Sequence, residues 1–166
     1  YTTSNYNVWG GFGFIVMLSI MFIGGSAGST TGGIKVFRLL LLFRMAKIQI
    51  KKLTHPHGVF ITSFNSKPVG EDTLYSIMVF FFIYIIVFIF SAILLSFFNL
   101  DLITALSAAA SAISNVGPGL GDTIGPNGNY STLEKEAKWI LSITMIIGRL
   151  ELFTFLALIS ISFWKK

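Results

Sequence analysis

The stretch from Ser107 to Gly121 reads SAAASAISNVGPGLG. A run of small, helix-tolerant residues breaks abruptly at Asn115-Val116-Gly117-Pro118-Gly119. Apolar segments long enough to cross a bilayer lie on both sides. A Gly/Pro break at that depth is costly, because every backbone N–H and C=O in hydrocarbon needs a partner. Such backbone persists only where protein buries it or where it lines a wet cavity. The stretch therefore points to a pore or a binding site inside an α-helical membrane protein.

Composition agrees. The 166 residues are 54% hydrophobic and 11% charged, with a mean hydropathy of +0.78. That is too apolar for an ordinary soluble domain. There are no cysteines, so a disulfide framework and a thiolate metal site are both excluded. The net charge of +5 is placed against nucleic acid. Seven of the twelve Lys/Arg lie at positions 35, 38, 44, 47, 51, 52 and 67, and two more close the chain. This is the clustering of cytoplasmic loops beside spans. The chain opens on Tyr1 and a polar YTTSNYN run. That opening predicts a fragment lacking its N-terminal part.

Trp9 to Gly25 is apolar but at the short end for a span, and it runs into GGSAGSTTGG, Gly24 to Gly33. Ile34 to Leu53 then carries basic residues at i, i+3 spacings and reads as a helix leaving the membrane. Thr54 to Asp72 reads as a cytoplasmic loop with a short hairpin, its alternation falling at Val59 to Thr62. His55 and His57, split by Pro56, read as solvated loop residues rather than a metal site. Leu74 to Phe98 is uncharged and long enough to span, about 37 Å at 1.5 Å per residue. Asn99 and Asp101 offer N-caps to a short re-entrant helix, Leu102 to Ser114. After the turn-rich Gly121 to Tyr130, Trp139 to Trp164 reads as the last span, with a cytoplasmic C-terminus.

A dehydrating cation needs oxygens in place of its water shell, and rings of backbone carbonyls supply them in potassium filters. Gly117 is the residue able to turn the backbone, with Asn115 and Val116 offering carbonyls and Pro118 stiffening the exit. The partly negative C-terminus of the preceding helix favours a cation. Arg149 lies in the last span, where a charge is tolerated only against protein or water. It cannot share a helix face with Glu151 two residues on. Glu151 has no assigned role beyond pairing with another repeat or with Lys35.

Three stretches resemble the C-terminal part of TrkH-type potassium uptake proteins, of the Trk/Ktr/HKT superfamily. They are IGGSAGSTTGGIKVFR (Ile23 to Arg38), SNVGPGLG (Ser114 to Gly121) and AKWILSITMIIGRLELFT (Ala137 to Thr154). The resemblance implies an all-α membrane protein of four helix–pore-loop–helix repeats around one pseudo-fourfold, channel-like pore. Residues 1–53 would end repeat three, 54–73 form a cytoplasmic loop, and 74–166 complete repeat four, with its filter at 115–119. Tyr1 would match the residue after the third filter glycine. Gly117 would match the fourth filter glycine, the backbone carbonyls of Asn115, Val116 and Gly117 would line the filter, and K+ would be held at Asn115 and Val116.

Gly24, Gly25, Ser26, Ala27, Gly28, Ser29, Thr30, Thr31, Gly32 and Gly33 would form the intramembrane gate loop, and Arg149 would project toward the pore, to repel a cation until the loop moves or to anchor the loop through its carbonyls. Their glycines make rearrangement cheap, and the loop's hydroxyls offer partners to freed backbone groups. The implied function is K+ uptake, with K+ as transported ion and no cofactor in this chain. The implied partners are membrane lipid, a second copy, and a TrkA-type cytoplasmic nucleotide-binding regulatory subunit. The implied location is the bacterial inner membrane.

Two other readings remain open on residues alone. One is an ion-coupled secondary transporter with broken helices, for which Glu151 is the only acid well inside a span. The other is a non-transporting anchor subunit, which predicts no penalty for altering Gly117. No nucleophile–base pair or phosphate loop supports an enzyme; GGSAGSTTGG lacks the GxxxxGK[ST] pattern.

Overall fold

A computed structural model describes residues 5–56, 58, 60–64 and 67–150. Helix α1 spans Gly10–Met21, entered through a 3₁₀ turn at Tyr6–Trp9. Helix α2 spans Val36–Thr54, α3 Glu71–Ser96, α4 Leu102–Ser114 and α5 Lys135–Arg149. A two-strand antiparallel hairpin, β1 (Ser63–Phe64) and β2 (Lys67–Pro68), follows α2.

Several elements begin or end away from the sequence expectations. The first apolar segment is helical only to Met21, because the glycine-rich break claims Ile23 to Gly25. The hairpin expected within Thr54 to Asp72 forms at Ser63–Phe64 and Lys67–Pro68. Arg44 fixes it there by donating to the Ser63 carbonyl and lying over the Phe64 ring. Helix α3 starts three residues early, since Glu71 and Asp72 suit a helix N-terminus. Helix α5 starts at Lys135, ahead of Trp139. The rest of that expected span, with Glu151 and Trp164, lies outside the described residues, as does His57. His55 pairs its Nδ1 with the Thr54 hydroxyl at 3.1 Å.

Among the described residues α3 is the one helix long and apolar enough to cross a membrane. Many of its large side chains, including Phe82, Ile86, Phe90 and Ile93, are exposed. Helix α4 is the opposite case. Every residue from Ser107 to Ser114 is buried, and so are Thr104 and Ala105. It fills the seam between α3 and α5 because alanine and serine let three backbones approach closely. Buried hydroxyl pairs stitch the bundle: Ser91 with Thr144 at 3.0 Å, and Tyr84 with Ser114 at 2.7 Å. In a bilayer each such pair contributes about 0.6 kcal/mol.

Candidate cation filter and gate

Helix α4 is started by Asp101, whose Oδ2 accepts from Thr104 N–H at 3.2 Å. It is stopped by Asn115 in the left-handed region, φ 54° and ψ 41°. Asparagine tolerates that conformation better than most residues. The chain then runs along the end of α4 as a strand held by two serines one turn apart. Ser111 takes two successive amides: its carbonyl accepts from Val116 N–H at 3.0 Å and its Oγ from Gly117 N–H at 3.0 Å. Ser107 Oγ accepts from Leu120 N–H at 3.0 Å and shares its proton between the Leu120 and Thr104 carbonyls.

A trans peptide points its N–H and C=O in opposite directions. Amides 116 and 117 both face Ser111, so the Asn115 and Val116 carbonyls face away from α4. Among the described residues neither accepts a hydrogen bond. Gly117 has φ +106°, which turns its own carbonyl the other way. That oxygen, expected to line the filter with the other two, accepts instead from the Tyr130 hydroxyl at 2.8 Å. Two residues on, the Gly119 carbonyl accepts from the Tyr6 hydroxyl at 3.0 Å, and the Gly121 carbonyl from Asn7 Nδ2 at 2.9 Å. Burial raises the pKa of both phenols above the usual 10.0; for Tyr130 the bond to Ser111 opposes that rise and Tyr6 adds to it. Both therefore stay protonated donors at neutral pH.

The glycine-rich break forms a loop with a closed neck. Ile34 N–H donates to the Phe22 carbonyl at 3.0 Å, Gly24 N–H to Ile34 at 2.9 Å, and Val36 N–H to Gly25 at 3.1 Å. Inside it, Thr31 Oγ1 accepts from Gly25 N–H at 3.0 Å and Ser29 Oγ from Thr31 N–H at 3.2 Å. Ser26 contributes its carbonyl, to Ser29 N–H. Thr30 also acts through its carbonyl, which accepts from Arg149 Nη1 at 2.6 Å.

The loop lies directly against the end of α4. A Cβ on Gly32 would sit 2.5 Å from the Ser114 carbonyl oxygen and 3.0 Å from Asn115 Cβ. On the other side, a Cβ on Gly148 of α5 would overlap the Ile113 carbonyl. Asn115 Nδ2 completes this junction by donating to the Met145 carbonyl at 3.1 Å. A cavity of about 410 Å³ borders the loop, lined by Thr30, Lys35, Arg38, Tyr84 and Arg149 among others. Arg38 stacks over the Phe80 ring at 4.0 Å.

The structure thus brings Asn115, Val116 and Gly117 within one strand, and brings Gly32 and Arg149 to the base of the same helix. Four groups escaped the sequence reading: Ser107 and Ser111, Tyr130, the Tyr6–Asn7 pair, and Gly148. Only the serines left a signal, their four-residue spacing on α4. Among the described residues no cluster of three His, Cys, Asp or Glu is placed to hold a metal ion.

The model of the TrkH family, described as a cation transport protein, matches residues 1–165. The Trk system potassium uptake protein TrkI of Halomonas elongata is 40% identical over all 166 residues. TrkH of Escherichia coli K12 is 37% identical over the same length. The chain spans 34% of the length of each. The crystal structure of the potassium transporter TrkH from Vibrio parahaemolyticus superposes with a TM-score of 0.87 at 34% identity. That match covers 99% of this chain and 35% of that one.

Proposed function

The chain belongs to the TrkH family of cation transport proteins, and from that premise we propose that it supplies one quarter of a potassium-uptake pore together with the gate beneath it. The remaining quarters come from repeats beyond this chain. K+ sheds water against the Asn115 and Val116 carbonyls, which join those of the other repeats to form an oxygen cage. The partial negative charge at the C-terminus of α4 lowers the cost of dehydration there. Below the filter, the Gly24–Gly33 loop closes the path. Arg149 holds the loop in place through the Thr30 carbonyl and adds positive charge that opposes an entering cation.

One observation carries this reading. Two successive carbonyls, 115 and 116, are turned off α4 and accept no hydrogen bond among the described residues, directly beside a glycine at φ +106°. The full protein is proposed to work as a homodimer in the bacterial inner membrane, its C-terminus cytoplasmic. The basic α2 region is where a nucleotide-binding regulatory subunit would dock.

The test is rubidium uptake in a potassium-uptake-deficient host. In the full-length protein, Gly117→Ser forces a side chain into a backbone region that costs about 1–3 kcal/mol. Uptake or K+ preference is expected to fall about tenfold; unchanged rubidium uptake overturns the filter assignment.

A further inference from the structure

The side chain at Gly117 is absent, and nothing lies within 4 Å of where a Cβ would be. Packing therefore does not orient the peptides on either side of it. Behind the strand a cavity of about 160 Å³, lined by Ser111, Gly117, Tyr130 and Lys138 among others, leaves room for them to rotate. What fixes them is a pair of hydrogen bonds. Ser111 Oγ takes the Gly117 N–H at 3.0 Å, and the Tyr130 hydroxyl holds the Gly117 carbonyl at 2.8 Å.

The two bonds act on the two peptides that meet at the Gly117 Cα. The first commits the Val116 carbonyl to the side away from α4. The second commits the Gly117 carbonyl to the protein wall.

We infer that Ser111 and Tyr130 are positioning residues for ion selection: together they set this loop's contribution at two facing carbonyls, Asn115 and Val116, and hold the Gly117 carbonyl out of the cage. The inference rests on the filter reading above. The number and rigidity of the oxygens around a cation govern which ion loses its water most cheaply. Without the phenol hydroxyl, the Gly117 carbonyl is free to swing toward the pore. The smaller, more strongly hydrated sodium ion then finds a softer and more numerous ligand set. Ser111 is 1% exposed, so its hydroxyl meets little competition from solvent for the Gly117 N–H. The raised pKa of Tyr130 keeps its proton on the donor.

The experiment uses the full-length protein in proteoliposomes, reading rubidium uptake, sodium uptake and melting temperature for Tyr130→Phe, Ser111→Ala and Gly117→Ser. Tyr130→Phe removes one oxygen from a partly exposed ring, so it tests the bond with little risk to folding. The rubidium-to-sodium uptake ratio is expected to fall about five- to tenfold in Tyr130→Phe and in Ser111→Ala, the scale of one lost hydrogen bond. A melting temperature and total uptake that fall together at an unchanged ratio mean a merely structural brace, and overturn the inference. An unchanged ratio in Tyr130→Phe with a changed one in Gly117→Ser overturns the inference and leaves the filter reading standing. An unchanged ratio in all three overturns both.

Discussion

At the scale of single residues, the glycines divide by what they touch. Gly117 is needed for its φ, with open space around it, whereas Gly148 and Gly32 are needed for their missing side chains. A Cβ on Gly148 meets the backbone carbonyl of Ile113, which no rotamer change can move. Gly148→Ala therefore has to push α5 off α4, and overpacking of a fitted interface costs about 1–3 kcal/mol. The expected result is a lower melting temperature and a smaller folded yield in detergent. Gly11→Ala, where nothing lies within 4 Å, is the control and should be neutral or slightly stabilising. Equal melting temperatures for the two variants would count against the close approach of α5 to α4. In the sequence Gly148 is one glycine inside an apolar helix. Its role depends on Ile113, thirty-five positions away, which no local pattern records.

At the scale of elements, the short α4 and the loop between α1 and α2 were the most legible. Both are announced locally. Asp101 caps one end of α4, Asn115 and Gly117 break the other, and alanines fill the interval. Ten residues rich in glycine, serine and threonine cannot continue a helix through Gly24–Gly33. The partners of each element were less legible. The expectation that Arg149 meets loop carbonyls has a geometric counterpart at Thr30, 119 residues away. By contrast, the phenol bonds from Tyr6 to Gly119 and from Tyr130 to Gly117 join loops whose sequences carry no shared period.

If the loop is the gate, cutting its anchor should loosen it. Arg149→Gln removes a charge-assisted bond, commonly stronger than a neutral one by about twofold. Rubidium flux through the closed protein should then rise about tenfold, and deleting Ser26 to Thr31 should raise it further. A folded Arg149→Gln protein with wild-type closed-state flux would speak against the anchor.

At the scale of the whole molecule, the chain spans 34% of its relatives' length, and in the proposed pseudo-fourfold pore it would supply one pore loop of the four. The exposed apolar face of α3 is the surface that lipid or the other repeats would cover. Asn7 and Tyr6, ahead of α1, already reach across to the strand after α4. The segment ahead of α1 is thus joined to the strand after α4, as the loop between α1 and α2 is joined to the end of α4.

The two kinds of junction differ in how they respond to heat. At the exit of the proposed filter, flexible side chains hold the backbone, and each ordered side chain gives up rotamer entropy that warming makes costlier. At the end of α4, Gly32 meets Ser114 backbone to backbone, with no rotamers to disorder. Warming should therefore erode ion discrimination before it opens the closed path. In proteoliposomes heated in steps, the rubidium-to-sodium ratio should decline at a lower temperature than the one at which closed-state leak begins. The reverse order would show that the glycine seam is the softer of the two.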